Sequence, residues 1–153
     1  DYLALARKYF NVTTHAYSSA SSRLISGGQS SLFKLESLLA KWKGSETSLV
    51  FSSGYMANLG VLQALSSLSP SVCFLMDELS HASLIDGIRL SKKKFQRFKH
   101  NDIEDLRQKL ESLKEKNYIP VIVSESVFSM EGDIAPLEDL LHIAKDYEGF
   151  LYI

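Results

Sequence analysis

Cysteine, long apolar stretches and an excess of charge of one sign are all scarce in this sequence, and each scarcity removes a class of protein. The single cysteine, Cys73, lies inside Val72-Cys73-Phe74-Leu75-Met76 and has no partner for an internal disulfide. An apolar run of that kind reads as core, where a thiol acts as a small hydrophobe rather than a nucleophile. No stretch approaches the ~20 apolar residues a membrane-spanning helix needs. The first residues, with Asp1, Arg7 and Lys8 around a few apolar positions, lack the layout of a signal peptide, so the expected location is cytoplasmic. Seventeen basic residues against 18 acidic ones leave a formal net charge of −1, without the basic footprint that nucleic-acid binding calls for.

Several chemical signatures are missing as well. There is no Gly-x-Gly-x-x-Gly after a strand, no Gly-Lys-Ser/Thr phosphate loop and no Gly-x-Ser-x-Gly elbow. Dinucleotide, P-loop and serine-hydrolase readings therefore lack their cradle or their nucleophile. His15, His81, His100 and His142 are far apart, with neither Cys-x-x-Cys nor His-Glu-x-x-His spacing, so no metal is expected.

What is present is a 153-residue chain with 45% hydrophobic residues, enough for one compact core. Helical and strand-like patterns alternate along it. Leu32, Leu35, Leu38, Leu39 and Trp42 share one face of a helix predicted from about Ser31 to Lys43 and stopped by Gly44. Leu49-Val50-Phe51 reads as a short strand, and the residues after Gly54 read as a helix. Pro70 breaks the chain before a strand over Val72 to Met76, and Leu84, Ile85 and Ile88 open another helix. Lys94 to Phe98 alternates with period two, as a strand with one wet face does. Asn101 with Glu104 resembles a capping box, so Asn101 reads as structural, and the helix that follows carries Ile103, Leu106, Leu110 and Leu113. Ile119 to Val123 is apolar on both faces, Pro136 fits the first turn of a helix with Leu137, Leu140, Leu141 and Ala144 inward, and Gly149 to Ile153 repeats the strand pattern. Strands alternating with helices imply a doubly wound, mostly parallel α/β sheet.

Three segments follow apolar runs and so converge on one edge of that sheet: Ser53-Gly54-Tyr55, Ser80-His81-Ala82-Ser83 and Ser124 to Asp133. Open α/β sheets bind ligands at this edge. At Ser52-Ser53-Gly54-Tyr55, free backbone N–H groups and the helix dipole favour an anion, Gly54 lets the backbone come close, and Tyr55 can lay its ring near a bound one. A tight turn without a ligand accounts for the same residues. His81 can stack on a planar cofactor, move protons, or cap the following helix together with Ser80 and Ser83. Glu125 and Ser129 either orient a ligand or satisfy loop amides. Each segment alone is ambiguous, and it is their coincidence that points to a site.

Taken in order, these residues resemble the α-oxoamine synthases. The similarity is carried by Ser53-Gly54-Tyr55 with Ala57-Asn58, by Leu79-Ser80-His81-Ala82-Ser83-Leu84, by Arg97-Phe98-Lys99-His100-Asn101-Asp102 and by Glu125 to Asp133 with Pro136-Leu137. It runs over nearly the whole chain from Asp1-Tyr2-Leu3-Ala4-Leu5. The resemblance implies a fold type I enzyme with pyridoxal 5'-phosphate as cofactor, joining an amino acid to an acyl-thioester with loss of carbon dioxide. Within the family the chain is most similar to members that use alanine and a pimeloyl-type thioester in biotin synthesis. By the same resemblance, Ser53, Gly54 and Tyr55 form the turn that reaches the cofactor phosphate and His81 stacks on the pyridine ring. Glu125 and Ser129 lie beside the ring, the serine near its phenolic oxygen. A homodimer is the implied assembly.

The sequence also departs from the family pattern. Ser18-Ser19-Ala20-Ser21-Ser22-Arg23 stands where relatives carry a glycine-rich segment, and Leu32 stands where they carry a histidine. The family's aspartate under the ring nitrogen, its companion histidine and its Schiff-base lysine fall beyond Ile153. Lys92-Lys93-Lys94 and the other lysines lie in charged stretches typical of solvated surface. The chain is therefore expected to be the N-terminal portion of the large domain, with an arm over 1–28, an α/β core over 29–153 and no second domain, and to be catalytically silent alone. A glycine-using synthase, another fold type I enzyme and a non-catalytic scaffold of the same fold are the alternatives.

Overall fold

The computed structural model describes residues 22–153. The expected family segment at Ser18 to Ser21 and the match at Asp1 to Leu5 lie outside them. Contacts divide the chain at Val50/Phe51 into two compact units.

In the first unit, α1 (Arg23–Ser26) precedes α2 (Ser30–Lys43), which ends as its sequence predicts: Gly44 takes the left-handed conformation, φ 65°, and returns its N–H to the carbonyls of Ala40 and Lys41. The apolar stripe predicted along one face of this helix is only partly covered among the described residues. Leu35, Leu38 and Trp42 are exposed, while Glu36 and Ala40 are the buried positions. Glu36 is buried because it is an organising centre: Arg23 grips its carboxylate with two bonds of 2.5 and 2.7 Å, and the Val50 amide donates to the same carboxylate at 2.9 Å. The Arg23 guanidinium, helped by the Val50 amide, holds this carboxyl at about 2, well below its usual range. The same amide bond explains a correction. Leu49-Val50-Phe51 forms no strand, because the Val50 N–H goes to a side chain and no ladder partner exists for these residues among those described.

The second unit is built on four parallel strands: β1 (Val72–Asp77), β2 (Lys94–Phe98), β3 (Ile119–Val123) and β4 (Phe150–Tyr152), in the spatial order β2-β1-β3-β4. α3 (Gly54–Ser66) leads into β1. α4 (Ala82–Ser91), α5 (Ile103–Lys114) and α6 (Leu137–Asp146) make the three crossovers. Both faces of β1 are covered, so its side chains alternate between two cores. Val72, Phe74 and Met76 pack with Leu62 of α3 and Leu84 and Ile88 of α4. Cys73 and Leu75 pack on the other face with Leu106, Leu110, Leu140 and Ile143 of α5 and α6. Each such side chain removed from water contributes about 1.5–3 kcal/mol, which is why an unbroken apolar run forms a strand here and not a loop. The thiol of Cys73 is buried and its pKa is raised by that burial.

Two sequence expectations need adjusting in this unit. On α6 the inward face is Leu140, Ile143 and Ala144, whereas Leu137 and Leu141 are exposed. And α5 is capped by Asp102, not Asn101: the Asp102 carboxylate accepts the Asp105 N–H at 2.9 Å, while Asn101 sits at φ 53° with other work to do. No helix among the described residues is long and apolar enough to cross a membrane.

The winding decides where a ligand can go. The chain leaves β1 towards α4 on one face and leaves its neighbour β3 towards α6 on the other. The carboxyl ends of β1 and β3 thus open a crevice at the point where the winding reverses, the usual ligand position of such sheets.

Candidate functional site

A cleft of about 230 Å³ lies at that reversal, lined by His81 and Leu84 from the β1 side, Ser124 and Glu125 from the end of β3, Asn58 from α3 and Tyr152 from β4. Larger hollows exist elsewhere on the surface, of about 410 and 350 Å³, but they lie around Lys94 and Lys114, away from the crevice. We take the smaller cleft as the site because it is where the strand ends converge.

His81 is the N-cap of α4, and its Nδ1 accepts the Ser83 N–H at 3.2 Å. The cap that one reading of the sequence anticipated is therefore real, and the ring lines the cleft at the same time. The Glu125 carboxylate accepts the main-chain N–H of His81, tying the end of β3 to the start of α4. It too satisfies an amide while standing half-buried in the cleft wall. These two residues are the pair that sequence reasoning selected and that the structure brings together.

Ser53, Gly54 and Tyr55 hold the start of α3 and do not line the cleft. Ser53 caps the helix, its hydroxyl accepting the Met56 N–H at 3.2 Å. The amides of Gly54 and Tyr55 have no hydrogen-bond partner among the described residues, and no atom lies within 4 Å of where a Gly54 Cβ would be. Two free N–H groups at a helix N-terminus above open space are a place for an anion. The Tyr55 hydroxyl bonds to Asp86 of α4, and that carboxylate raises its pKa. Ser129 does not line this cleft. It lies exposed on a turn beyond the Val127–Ile134 bridge, where Gly132 returns its N–H to Phe128 O at 2.8 Å.

Sequence reasoning gave Asn58 and Ser124 no role of their own and missed Tyr152 altogether. Asn58 is one helical turn beyond Gly54, a spacing that puts it on the same side of α3; Ser124 is the first residue past β3. Its hydroxyl is buried without a hydrogen-bond partner among the described residues, as is that of Ser80. A native buried hydroxyl is seldom left so, which marks the cleft wall as built to take a polar group.

The loop carrying Glu125 is pinned from its far end by ions. Asp77, at the end of β1 and fully buried, accepts from His100 Nδ1 at 3.0 Å, from the Asn101 N–H at 3.0 Å and from the Leu79 N–H at 2.9 Å. Asp133 accepts from His100 Nε2 at 2.8 Å and from Asn101 Nδ2 at 3.0 Å. His100 also sets its ring edge-to-face on Phe128, centroids 4.4 Å apart. Burial works against a charged ring here, but the bonds to Asp77 and Asp133 outweigh it and the His100 pKa is raised. This is the other work of Asn101.

Comparisons with known proteins show the family and the fold. A family model for aminotransferase class I and II matches residues 4–153. The chain is 40% identical over 159 residues to an 8-amino-7-oxononanoate synthase of Hydrogenovibrio crunogenus, covering all of this chain and 40% of that protein. A serine palmitoyltransferase from S. paucimobilis, solved with a bound PLP-myriocin aldimine, superposes with a TM-score of 0.81 at 34% identity over 97% of this chain and 35% of its own. An 8-amino-7-oxononanoate synthase from Francisella tularensis gives 0.62 at 32% identity, over 77% of this chain and 32% of its own. The chain spans between 32% and 41% of the length of such curated relatives.

Proposed function

The chain belongs to the aminotransferase class I and II family, and from that premise we propose that its cleft is one wall of a pyridoxal-phosphate site in an acyltransferase. The reaction we assign to the whole enzyme joins an amino acid to an acyl-thioester with loss of carbon dioxide. Alanine and a pimeloyl-type thioester are the favoured pair, in biotin synthesis, and a homodimer the favoured assembly. The observation that carries the reading is the convergence of His81 and Glu125 across the β1/β3 crevice, in a chain 40% identical to a relative named for that reaction.

The residues present fit the cofactor. Its phosphate is matched by the free Gly54 and Tyr55 amides at the N-terminus of α3, and its polar ring substituents by the orphaned Ser124 hydroxyl in the cleft wall. When bound, pyridoxal phosphate supplies an electron sink for charge developing at an amino acid's α-carbon. His81 offers the cleft a flat aromatic face and is held in place by its cap. Glu125 sets the distance between the β3 loop and α4, and so the width of the opening. Leu84 excludes water from the floor.

A second reading is favoured by the higher similarity to serine palmitoyltransferase structures, in which the amino acid is serine and the acyl chain long. One experiment separates them. The intact enzyme is supplied with alanine, glycine or serine and with pimeloyl- or palmitoyl-thioester, and carbon dioxide and free thiol are measured. We expect release with alanine and the pimeloyl donor. Release with serine or glycine but not alanine overturns the substrate assignment, and release with none overturns the class.

A further inference from the structure

We propose that Tyr152, Asn58 and Ser83 form a one-way hydrogen-bond relay that adds its hold to that of the Ser83 main-chain N–H in keeping His81 as the tautomer with Nδ1 accepting and the proton on Nε2. The relay is continuous: Tyr152 OH to Asn58 Oδ1 at 2.7 Å, Asn58 Nδ2 to Ser83 Oγ at 2.7 Å, and Ser83 Oγ to His81 Nδ1 at 2.7 Å. A chain of hydroxyls and an amide can in principle run in either direction, since each hydroxyl donates or accepts and an amide can turn over. Here the direction is decided at one end. The main-chain N–H of Ser83 points at Nδ1 from 3.2 Å, and an amide N–H can only donate, so Nδ1 accepts. With Nδ1 an acceptor, the Ser83 hydroxyl donates to it as well. Its oxygen then accepts from Asn58 Nδ2, which turns Asn58 Oδ1 towards the Tyr152 hydroxyl. Burial raises the pKa of Tyr152, so its proton stays in place to donate.

Every link is sheltered. Ser83 is almost fully buried, and Asn58 and Tyr152 are half-buried. The three residues come from α4, α3 and β4, so the ring orientation reports the assembly of three elements and not just the local cap. Asn58 reaches Ser83 because α3 and α4 approach closely at Gly87, where a Cβ would lie 3.3 Å from the Asn58 carbonyl. Tyr152, Asn58 and Ser83 are thus positioning residues for His81. Their consequence for a bound cofactor rests on the proposed function; the tautomer does not.

The test is nitrogen NMR of the histidine rings in the intact polypeptide before any cofactor is added, so failure of the cofactor reading leaves its outcome readable. We expect His81 with a bare Nδ1 and a protonated Nε2. Asn58→Asp replaces the donor to Ser83 by an acceptor, draws the Ser83 hydroxyl away from Nδ1, and should move the tautomer ratio towards Nδ1–H. Tyr152→Phe lets the Asn58 amide turn over and should move it the same way, less far. A proton on Nδ1 in the parent overturns the proposal. So does an unchanged ratio in Tyr152→Phe with the core amide spectrum intact, and this second variant decides the matter even if Asn58→Asp does not fold.

Discussion

Two histidines nineteen residues apart close the same edge of the sheet by opposite means. His81, at the β1/β3 crevice, meets neutral partners through its ring among the described residues: a serine hydroxyl and a main-chain amide on Nδ1. His100, on the β2 side, has a carboxylate on each ring nitrogen. A ring facing two acceptors is fully satisfied only when both nitrogens carry protons, whereas a ring receiving a donor on one nitrogen must keep that nitrogen bare. The first arrangement leaves a ring free to face a ligand; the second spends the ring on holding a loop. Proximity to a cleft therefore says less about a histidine's work than the identity of the groups on its nitrogens.

The largest test of this contrast is Asp77→Ala. It strips a buried acceptor from His100, Asn101 and Leu79 together, and should cost on the order of 3 kcal/mol in denaturant unfolding of the intact polypeptide. A loss below about 1 kcal/mol would mean that the ionic side is decorative and the contrast false. Next is Gly87→Ala, whose new methyl would sit 2.7 Å from Leu62 Cδ1 and 3.3 Å from Asn58 O. We expect about 1–3 kcal/mol of destabilisation, with the His81 ring signals moved and those of His100 unmoved. Equal movement in both would show that the two mouths are not independent.

His81→Ala should be gentler on the fold and felt in cofactor affinity, weakened by about 0.5–1.5 kcal/mol in a direct titration with pyridoxal phosphate, as the loss of one aromatic contact predicts. Unchanged affinity would reduce His81 to a helix cap. The smallest effect is in pH. Because folding raises the His100 pKa, the clamp's contribution is complete below the ring's ordinary pKa of about 6.5 and is lost as pH climbs through the raised folded value. Stability of the parent should decline over that window relative to His100→Gln. Parallel profiles would remove charge from the account of the clamp.

Much of the fold was legible because its signals are local. The unbroken runs Val72 to Met76 and Ile119 to Val123 can form strands only if both faces are covered, and both faces are. Gly44 stops α2 by the one conformation it adopts easily. Misreadings occurred where a side chain outbid the backbone pattern. Glu36 took the Val50 amide from an expected strand, and Asp102 took the cap assigned to Asn101 because Asn101 was already bound to Asp133. In the site, His81 and Glu125 stood out as polar groups directly after buried strands. Asn58 and Tyr152 did not, since an asparagine inside a helix and a tyrosine inside a strand look ordinary until their partner, Asn58 to Tyr152 across 94 positions, is known.

By itself the sequence determined the alternation of elements, the double coverage of the central strands and the family to which the chain belongs. These follow from apolar periodicity, from turn chemistry and from motifs in a fixed order, all of which act over a few residues. Only the tertiary structure decided which histidine lines the cleft and which holds a loop, and which distant groups His81 is linked to through Ser83. Hydrogen bonds are directional and exclusive, so the role of each polar group is set by whichever donor or acceptor the folded chain brings within about 3 Å of it, however far away in the sequence that group lies.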